Sequence, residues 1–309
     1  MSTITAPVPG QYIGETLVRE QTSLWADAWR RLRRNRLALA ATFYLLLLVV
    51  VAGVSLFWTP YPYYEQAVVV GGHSITNYDP PLRHLLLGSD LFARDIVSRL
   101  MVGARISLIV GLGTQVVVIA VGVVLGLLAG YLRGPVDTVI SLVINIFYGI
   151  PDVLVALILV LVVANGRPSL NFIIIAIAAT RWMDMARLVR GQSLSLRERE
   201  FVEAAVASGA RPAKVIFGHI LPNSLGPIIV QATFGIPQAI LFEAFLSFLG
   251  LGVPPPTPSW GSMAADGFHA IQIAPHVVLA PAIALSLTLM AFNFLGDGLR
   301  DALDPRQKR

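Results

Sequence analysis

Residues 106–132, "ISLIVGLGTQVVVIAVGVVLGLLAGYL", run without one charged side chain. A helix needs about 20 apolar residues to cross a hydrocarbon layer about 30 Å thick. Inside that layer only a helix or a closed barrel pairs all of its backbone N–H and C=O groups. So long an uncharged run predicts a membrane helix, and its many small residues let neighbouring helices come close. Five more stretches have similar character: 38–58, about 138–164, about 169–187, about 224–247 and about 275–296. The expected fold is all-α and membrane-embedded, with six transmembrane helices. Composition agrees: 13% of the 309 residues are charged, against about 25% in soluble domains.

Several chemistries are excluded. The chain has no Cys, so disulfides, Cys-ligated zinc and thiol catalysis are ruled out. Its five His (His73, His84, His219, His269 and His276) show no ligand spacing, and no metal site is expected. Lys214 and Lys308 are the only lysines and neither follows Gly, so there is no phosphate-binding loop of the Walker type. Any use of ATP has to come from a partner, and no cofactor is expected on this chain.

"RRLRRNR" (30–36) precedes the first apolar run as it does in a secretory leader. The run 38–58 is too long for a leader core of about 7–15 residues and has no small-residue cleavage site, so it reads as a retained anchor. With the N-terminus placed inside, the outer segments hold only Arg83, Arg94, Arg99, Arg105 and Arg167 of the 23 Lys and Arg. The positive-inside rule then predicts that both termini are cytoplasmic. The expected layout is an N-terminal segment 1–37, a first span 38–58, an outer segment 59–105, a core 106–298 and a tail 299–309. The core includes an inner loop 188–223 and an outer loop 248–274.

In the first outer segment, Ser89 or Asp90 can N-cap a helix. Leu91, Phe92, Ile96, Val97 and Leu100 would form its apolar stripe, at the membrane interface. The second, with "GLGVPPPTPSWGSMAADG", reads as a fixed non-helical loop packed on the outer surface.

The inner loop is the anomaly, because charge interrupts the apolar chain at "EREFVEAAVASGARPAKVIFGHILPN" (198–223). Residues 199–208 read as a helix with small side chains at Ala204, Ala205, Ala207 and Ser208. Gly209 is a natural stop because it takes positive φ without penalty. Pro212 is a natural restart, since its missing N–H is unneeded at the first helical position. A second helix, about 212–220, places Val215, Ile216 and Ile220 on one side, and Leu221-Pro222 ends it. The expectation is a helical hairpin on the inner face; an ordinary solvated loop is the plainer alternative.

The spacing Glu203-Ala204-Ala205, Gly209, Leu221-Pro222 resembles the E-A-A motif of permease subunits of ABC importers. His219 stands where that pattern usually has Ile. "GSDLFARDIVSRLMVGARISL" resembles a segment of the dipeptide/oligopeptide/nickel permease family, with Ser89 for Thr and Ala93 for Gly. "EAFLSFLGLGVPPPTPSWG" (243–261) and "NFLGDGLRDALDPR" (293–306) resemble its DppC/OppC-type members. The resemblance covers about residues 25–306.

It implies the type I importer permease fold and one membrane subunit of a peptide importer in a bacterial or archaeal plasma membrane. The implied partners are a sister permease of DppB/OppB type, an extracytoplasmic substrate-binding protein, and two ATPases of DppD/DppF or OppD/OppF type (or one fused chain) that carry ATP and Mg. The chain itself is then no enzyme. Glu203, Ala204, Ala205, Gly209, Pro212, Leu221 and Pro222 would form the element that docks on an ATPase. The two outer segments, through positions such as Tyr63 and Trp260, would meet the binding protein; a self-packed cap is the alternative.

Asp152, after Pro151, and Glu243 are acids within expected spans. Each is either a translocation-path contact for a peptide α-amino group or a paired or neutral group that locks helices. Arg181 and Asp184 stand i,i+3 and would pair locally. Asp297, Arg300 and Asp301 would brace the ATPase interface or form a plain polar tail. Import of nickel, glutathione or another small solute stays open within the family. A secondary transporter fits poorly for want of mid-membrane ionisable groups. An intramembrane hydrolase lacks a nucleophile and base within the spans.

Overall fold

The structure, a computed structural model, describes residues 24–66, 69–70, 73–81, 85–166 and 168–303. Arg83, His84, Arg167 and the tail from 304, with Arg306 and Lys308, lie outside the described residues.

The first described element is an amphipathic helix, α1 (Leu24–Leu32). Its Ala28 and Leu32 pack on the end of the last helix. α2 (Arg36–Val54) is the first span, and the Asn35 side chain caps it by accepting from Leu37 N–H and Ala38 N–H, each at 3.1 Å. It ends four residues short of the expected boundary, ahead of Pro60 and Pro62, where helix cannot continue. A two-residue ladder follows, β1 (Val69–Val70) with β2 (His73–Ser74).

α3 (Ile96–Leu132) is 37 residues long and absorbs the region expected to hold a separate interfacial helix. That helix does not form. Asp90 accepts from Phe92 N–H and Arg94 N–H, and Ala93 sits at φ +55°, so 89–95 is a tight turn closed by a Ser89–Asp95 bridge. The cap of α3 is Asp95, which accepts from Ser98 N–H at 2.7 Å.

α4 (Gly134–Tyr148) and α5 (Asp152–Ile158), extended by a π turn over Leu159–Val163, meet at an 88° bend. Pro151 is the cause: it has no N–H to give, and it pushes Ile150 out of helical geometry. α6 (Leu170–Arg197) is antiparallel to this bent pair. Their contacts run from Asp137–Arg190 through Tyr148–Asp184 to Asp152–Arg181.

α7 (Glu200–Ala207) and α8 (Pro212–Val215) form the expected hairpin. The expected stop at Leu221-Pro222 is absent. A π turn over Ile216–Ile220 carries α8 into α9 (Leu221–Phe248), and Leu221 N–H reaches back five residues to Ile216 O. A widened turn suits Pro222, which cannot donate into a regular ladder. The expected non-helical outer loop also needs correction. After the Pro-rich stretch, α10 (Trp260–Phe268) forms behind a capping box in which Ser259 and Ser262 exchange bonds. α11 (Pro275–Leu303) closes the bundle.

Among the described residues, four helices are long and apolar enough to cross a membrane, or five if the bent pair counts as one span. α6 has the length, but from its middle onward it holds Arg181, Asp184, Arg187, Arg190 and Arg197. The closest seam joins α3 to α6. A Cβ on Gly122, Gly126 or Gly130 would lie 2.6 Å from Met185 Cβ, 2.6 Å from Ala186 O and 2.5 Å from Ser193 Cβ. The Gly-x3-Gly-x3-Gly repeat therefore lets the two backbones touch, as in membrane helix pairs generally.

Candidate functional site

The hairpin is built to hold its shape. Ala210 N–H bonds to Ala205 O at 3.0 Å and Gly209 N–H to Val206 O at 2.9 Å, with Gly209 at φ +80°. This pair of bonds is the Schellman closure of a helix, and it needs a left-handed residue at its corner. Nothing lies within 4 Å of where a Gly209 Cβ would sit, so backbone conformation is the whole reason for glycine there. Pro212 opens α8 at its first turn, as expected.

One side of the hairpin is buried. Val202, Val215, Ile216 and Ile220 pack with Val123, Leu127, Met185 and Val189 of α3 and α6. Its base is tied down by Arg197, which donates to Tyr131 O and lies over the Tyr131 ring, and by Arg133 on Glu198 at 2.7 Å. The other side is open: Phe201, Glu203, Ala204, Val206, Ala207, Lys214 and Phe217 are exposed. Among the described residues no ion pair engages Glu203, Arg211 or Lys214. His219, the departure from the motif, sets its ring 6.3 Å from the Phe201 ring, and its backbone oxygen accepts from Asn223. It joins the two arms at their base, a contact an aliphatic residue makes less specifically.

A second polar feature lies along α6, at the bend between α4 and α5. Arg181 does not pair with Asp184; it bonds Asp152 at 2.9 Å across the bundle and lies 5.1 Å over the Phe242 ring. Asp184 instead accepts from the Tyr148 hydroxyl, and Arg187 lies 4.1 Å over the Tyr148 ring. The i,i+3 expectation fails because Pro151 brings new partners to each side chain. Asp152 is half-exposed on this face. Glu243 is not: it is fully buried between α9 and α10, where one carboxylate oxygen accepts from the Ser247 and Ser259 hydroxyls, each at 2.7 Å. Its other oxygen, Oε2, has no hydrogen-bond partner among the described residues.

The opposite end of the molecule is a self-locked cap, about 55 Å away along α3 at 1.5 Å per residue. Asp90 holds Arg94 at 2.7 Å and Arg99 at 3.2 Å, with every one of these side chains at least nine-tenths buried. Arg94 also approaches Asp266 of α10 at 3.9 Å. Burial pushes the Asp266 carboxyl above its usual range, against the pull of Arg99 and Arg94. Trp260 is 2% exposed and donates its ring N–H to Leu100 O at 3.1 Å. It anchors the cap from within and is not part of its surface. Tyr63 is partly buried, edge-on to the exposed Tyr64. The two outer segments thus meet: Trp260 bonds Leu100, and Val253, just before the prolines, shares an apolar cluster with Tyr63. Among the described residues, no three His, Asp or Glu side chains gather closely enough to hold a metal ion.

Residues 122–309 match the family described as "Binding-protein-dependent transport system inner membrane component". Residues 23–81 match the "N-terminal TM domain of oligopeptide transport permease C". The chain is 42% identical over 298 residues to the dipeptide transport system permease protein DppC of Bacillus subtilis (strain 168), covering 96% of this chain and 90% of that one. It is 38% identical over 296 residues to the oligopeptide transport system permease protein OppC of the same organism, covering 96% and 94%. It is 39% identical over 284 residues to the glutathione transport system permease protein GsiD of Pectobacterium atrosepticum, covering 92% of each. Among solved structures, the inward-facing MetNI methionine ABC transporter is similar in fold, with a TM-score of 0.55 and 20% identity over 67% of this chain and 96% of that chain.

Proposed function

The chain belongs to the family of binding-protein-dependent transport system inner membrane components, and from that membership we propose that it is the non-catalytic permease subunit of an ATP-driven importer that moves di- and oligopeptides into the cytoplasm. The observation that carries the reading is the hairpin. Its buried side is rooted in α3 and α6, its corner is fixed by a glycine-dependent turn, and its small-residue, charge-rimmed side is free. A lever needs these three properties: a base joined to the moving helices, a stiff arm, and a face that another protein can grip.

In this reading the hairpin end and both termini are cytoplasmic, and an ATPase subunit, carrying ATP and Mg, takes the Ala204–Ala207 side. The charges of Glu203, Arg211 and Lys214 set the register of docking. Closure of two ATPases pulls the hairpins, and the motion passes through the glycine seam of α3 and α6. The cap faces outside and receives the substrate-binding protein on the exposed side chains around Tyr64 and the Pro-rich stretch, with Trp260 supporting them from below. A sister permease covers the polar face at Asp152, Arg181 and Asp184, because those charges do not tolerate acyl chains.

Peptides are favoured by the relatives named for dipeptide and oligopeptide transport. Glutathione is the second reading, since a relative of comparable identity is named for it. Uptake by the reconstituted complex separates them. The account expects ATP- and binding-protein-dependent uptake of a di- or tripeptide panel. Uptake of glutathione alone moves the chain to the second reading, and uptake that needs no ATPase removes the importer reading altogether.

A further inference from the structure

The turn that joins α1 to α2 carries arginines that no acid answers. The run 30–36 contains no Asp or Glu. Arg33, Arg34 and Arg36 are exposed, and among the described residues no ion pair engages them. Asp297 and Asp301, exposed near the end of α11, do not pair with them either.

These arginines are held in a fixed place. Ala28 and Leu32 of α1 pack with Ala38 of α2 and with Leu299, Ala302 and Leu303 of α11. A Cβ on Gly298 would lie 3.1 Å from Leu32 Cδ1 and would also strike Ala38 Cβ, so the three helices meet without slack. Leu303 in turn stands against α9, its Cβ 3.8 Å from where a Gly226 Cβ would sit, so this corner belongs to the hairpin end of the bundle. The turn itself is closed by Arg33 N–H on Trp29 O at 3.1 Å and Arg34 N–H on Arg31 O at 2.9 Å.

Their depth follows from what comes next in the chain. Leu37, Leu39 and Phe43 of α2 are apolar and exposed, the surface of a helix that faces lipid. Hydrocarbon therefore begins within a turn of Arg36, and the arginines stand at the level of the headgroups. Trp29 is exposed there too, with the Arg33 guanidinium 4.7 Å over its ring. An aromatic ring with a polar edge suits that boundary. A protein partner would have to enter the headgroup layer to reach these cations, whereas phospholipid phosphates already occupy it.

We propose that α1 and the turn 33–36 form a binding surface for anionic phospholipid headgroups, with Arg33, Arg34 and Arg36 on the phosphates and Trp29 seated beside them. A net negative headgroup is preferred to a zwitterionic one, because choline would place a further cation among the arginines. The inference goes beyond the import reading and holds whatever solute is carried. Headgroups held at this corner steady the end of the bundle on which the hairpin stands.

The test titrates the purified full chain in neutral detergent with dioleoyl phosphatidylglycerol or dioleoyl phosphatidylcholine and counts bound lipid by native mass spectrometry. Wild type binds phosphatidylglycerol about tenfold more tightly or better, since each cation near an anionic surface is worth about fivefold. Arg33→Gln and Arg34→Gln each weaken phosphatidylglycerol binding by about fivefold, with phosphatidylcholine binding and unfolding temperature unchanged. Changing Arg33, Arg34 and Arg36 together to Gln removes most of the preference, and changing all three to Lys retains most of it. Should the triple Gln variant fail to fold, the single changes decide. Equal binding of the two lipids by wild type means a topology signal only and overturns the proposal. A preference that survives the Gln changes overturns it as well. Loss of ATPase binding by the triple Gln variant, with phosphatidylglycerol binding unchanged, assigns the surface to a protein partner and also overturns it.

Discussion

At the cap end, Asp90, Arg94 and Arg99 are each less than a tenth exposed, and Asp90 binds both arginines. At the hairpin end, Glu203, Arg211 and Lys214 are exposed, and no ion pair among the described residues engages them. The chain spends similar residue types in opposite ways. Inward charges finish a structure, because a buried charge without its partner is severely destabilising. Outward charges beside alanines leave a surface that a second protein can complete. The hairpin takes its own rigidity from elsewhere, from backbone bonds at Gly209 and from the aliphatic root of Val202, Val215, Ile216 and Ile220. Removing a charge should therefore unfold one end and only disconnect the other.

The largest expected effect is on the cap. Asp90→Ala strands two buried arginines and should destabilise the chain by about 3–5 kcal/mol, read as a lowered unfolding temperature in detergent. An unchanged temperature would mean that the cap is not held by its charges. Next is Gly209→Val, which forces a β-branched residue to φ +80° at a cost of about 1–2 kcal/mol. Assembly should persist while the ratio of peptide moved to ATP hydrolysed falls severalfold, because the arm softens where it bends. Glu203→Lys should leave stability within about 0.5 kcal/mol of wild type and weaken ATPase docking, most visibly at low salt. The smallest effect runs the other way. Ala93 is held at φ +55° inside the cap turn, so Ala93→Gly should stabilise by up to about 1 kcal/mol.

That last position shows how the sequence could be read beyond its helices. Comparison with the family pattern marks Ala93 as standing in for a glycine, and the structure explains why glycine belongs there. Gly209 and Pro212 were equally legible, since their backbone preferences are local. The spans were legible because backbone satisfaction in lipid leaves few options, although the bend at Pro151 split one of them and the charges of α6 blurred another. The α10 helix was hidden by its preceding prolines, while its actual signal was Ser259 with Ser262 three residues on. A Pro-rich loop suggests an exposed aromatic at Trp260, yet the side chain fills the cap.

The buried carboxamide of Gln115, seated against Gly235, escapes a reading of charges for a different reason. Gln115, Gln231 and Gln238 carry no charge, so a count of charges passes over them, while Asp152 and Glu243 drew notice. Polar amides in an uncharged span are the signal that was available. Pairings across the bundle, such as Arg181 with Asp152, cannot be read from i,i+3 spacing, because a break in one helix decides them.

The contrast between a finished cap and an open hairpin is tested most directly by site-specific crosslinking in the assembled complex. The chain contains no Cys, so single substitutions Ala207→Cys on the hairpin and Tyr64→Cys on the cap each give one unambiguous thiol for a photoactivatable probe. The account predicts that Ala207→Cys captures an ATPase subunit and Tyr64→Cys captures the substrate-binding protein. Capture of the binding protein from the hairpin, or of an ATPase from the cap, would contradict it.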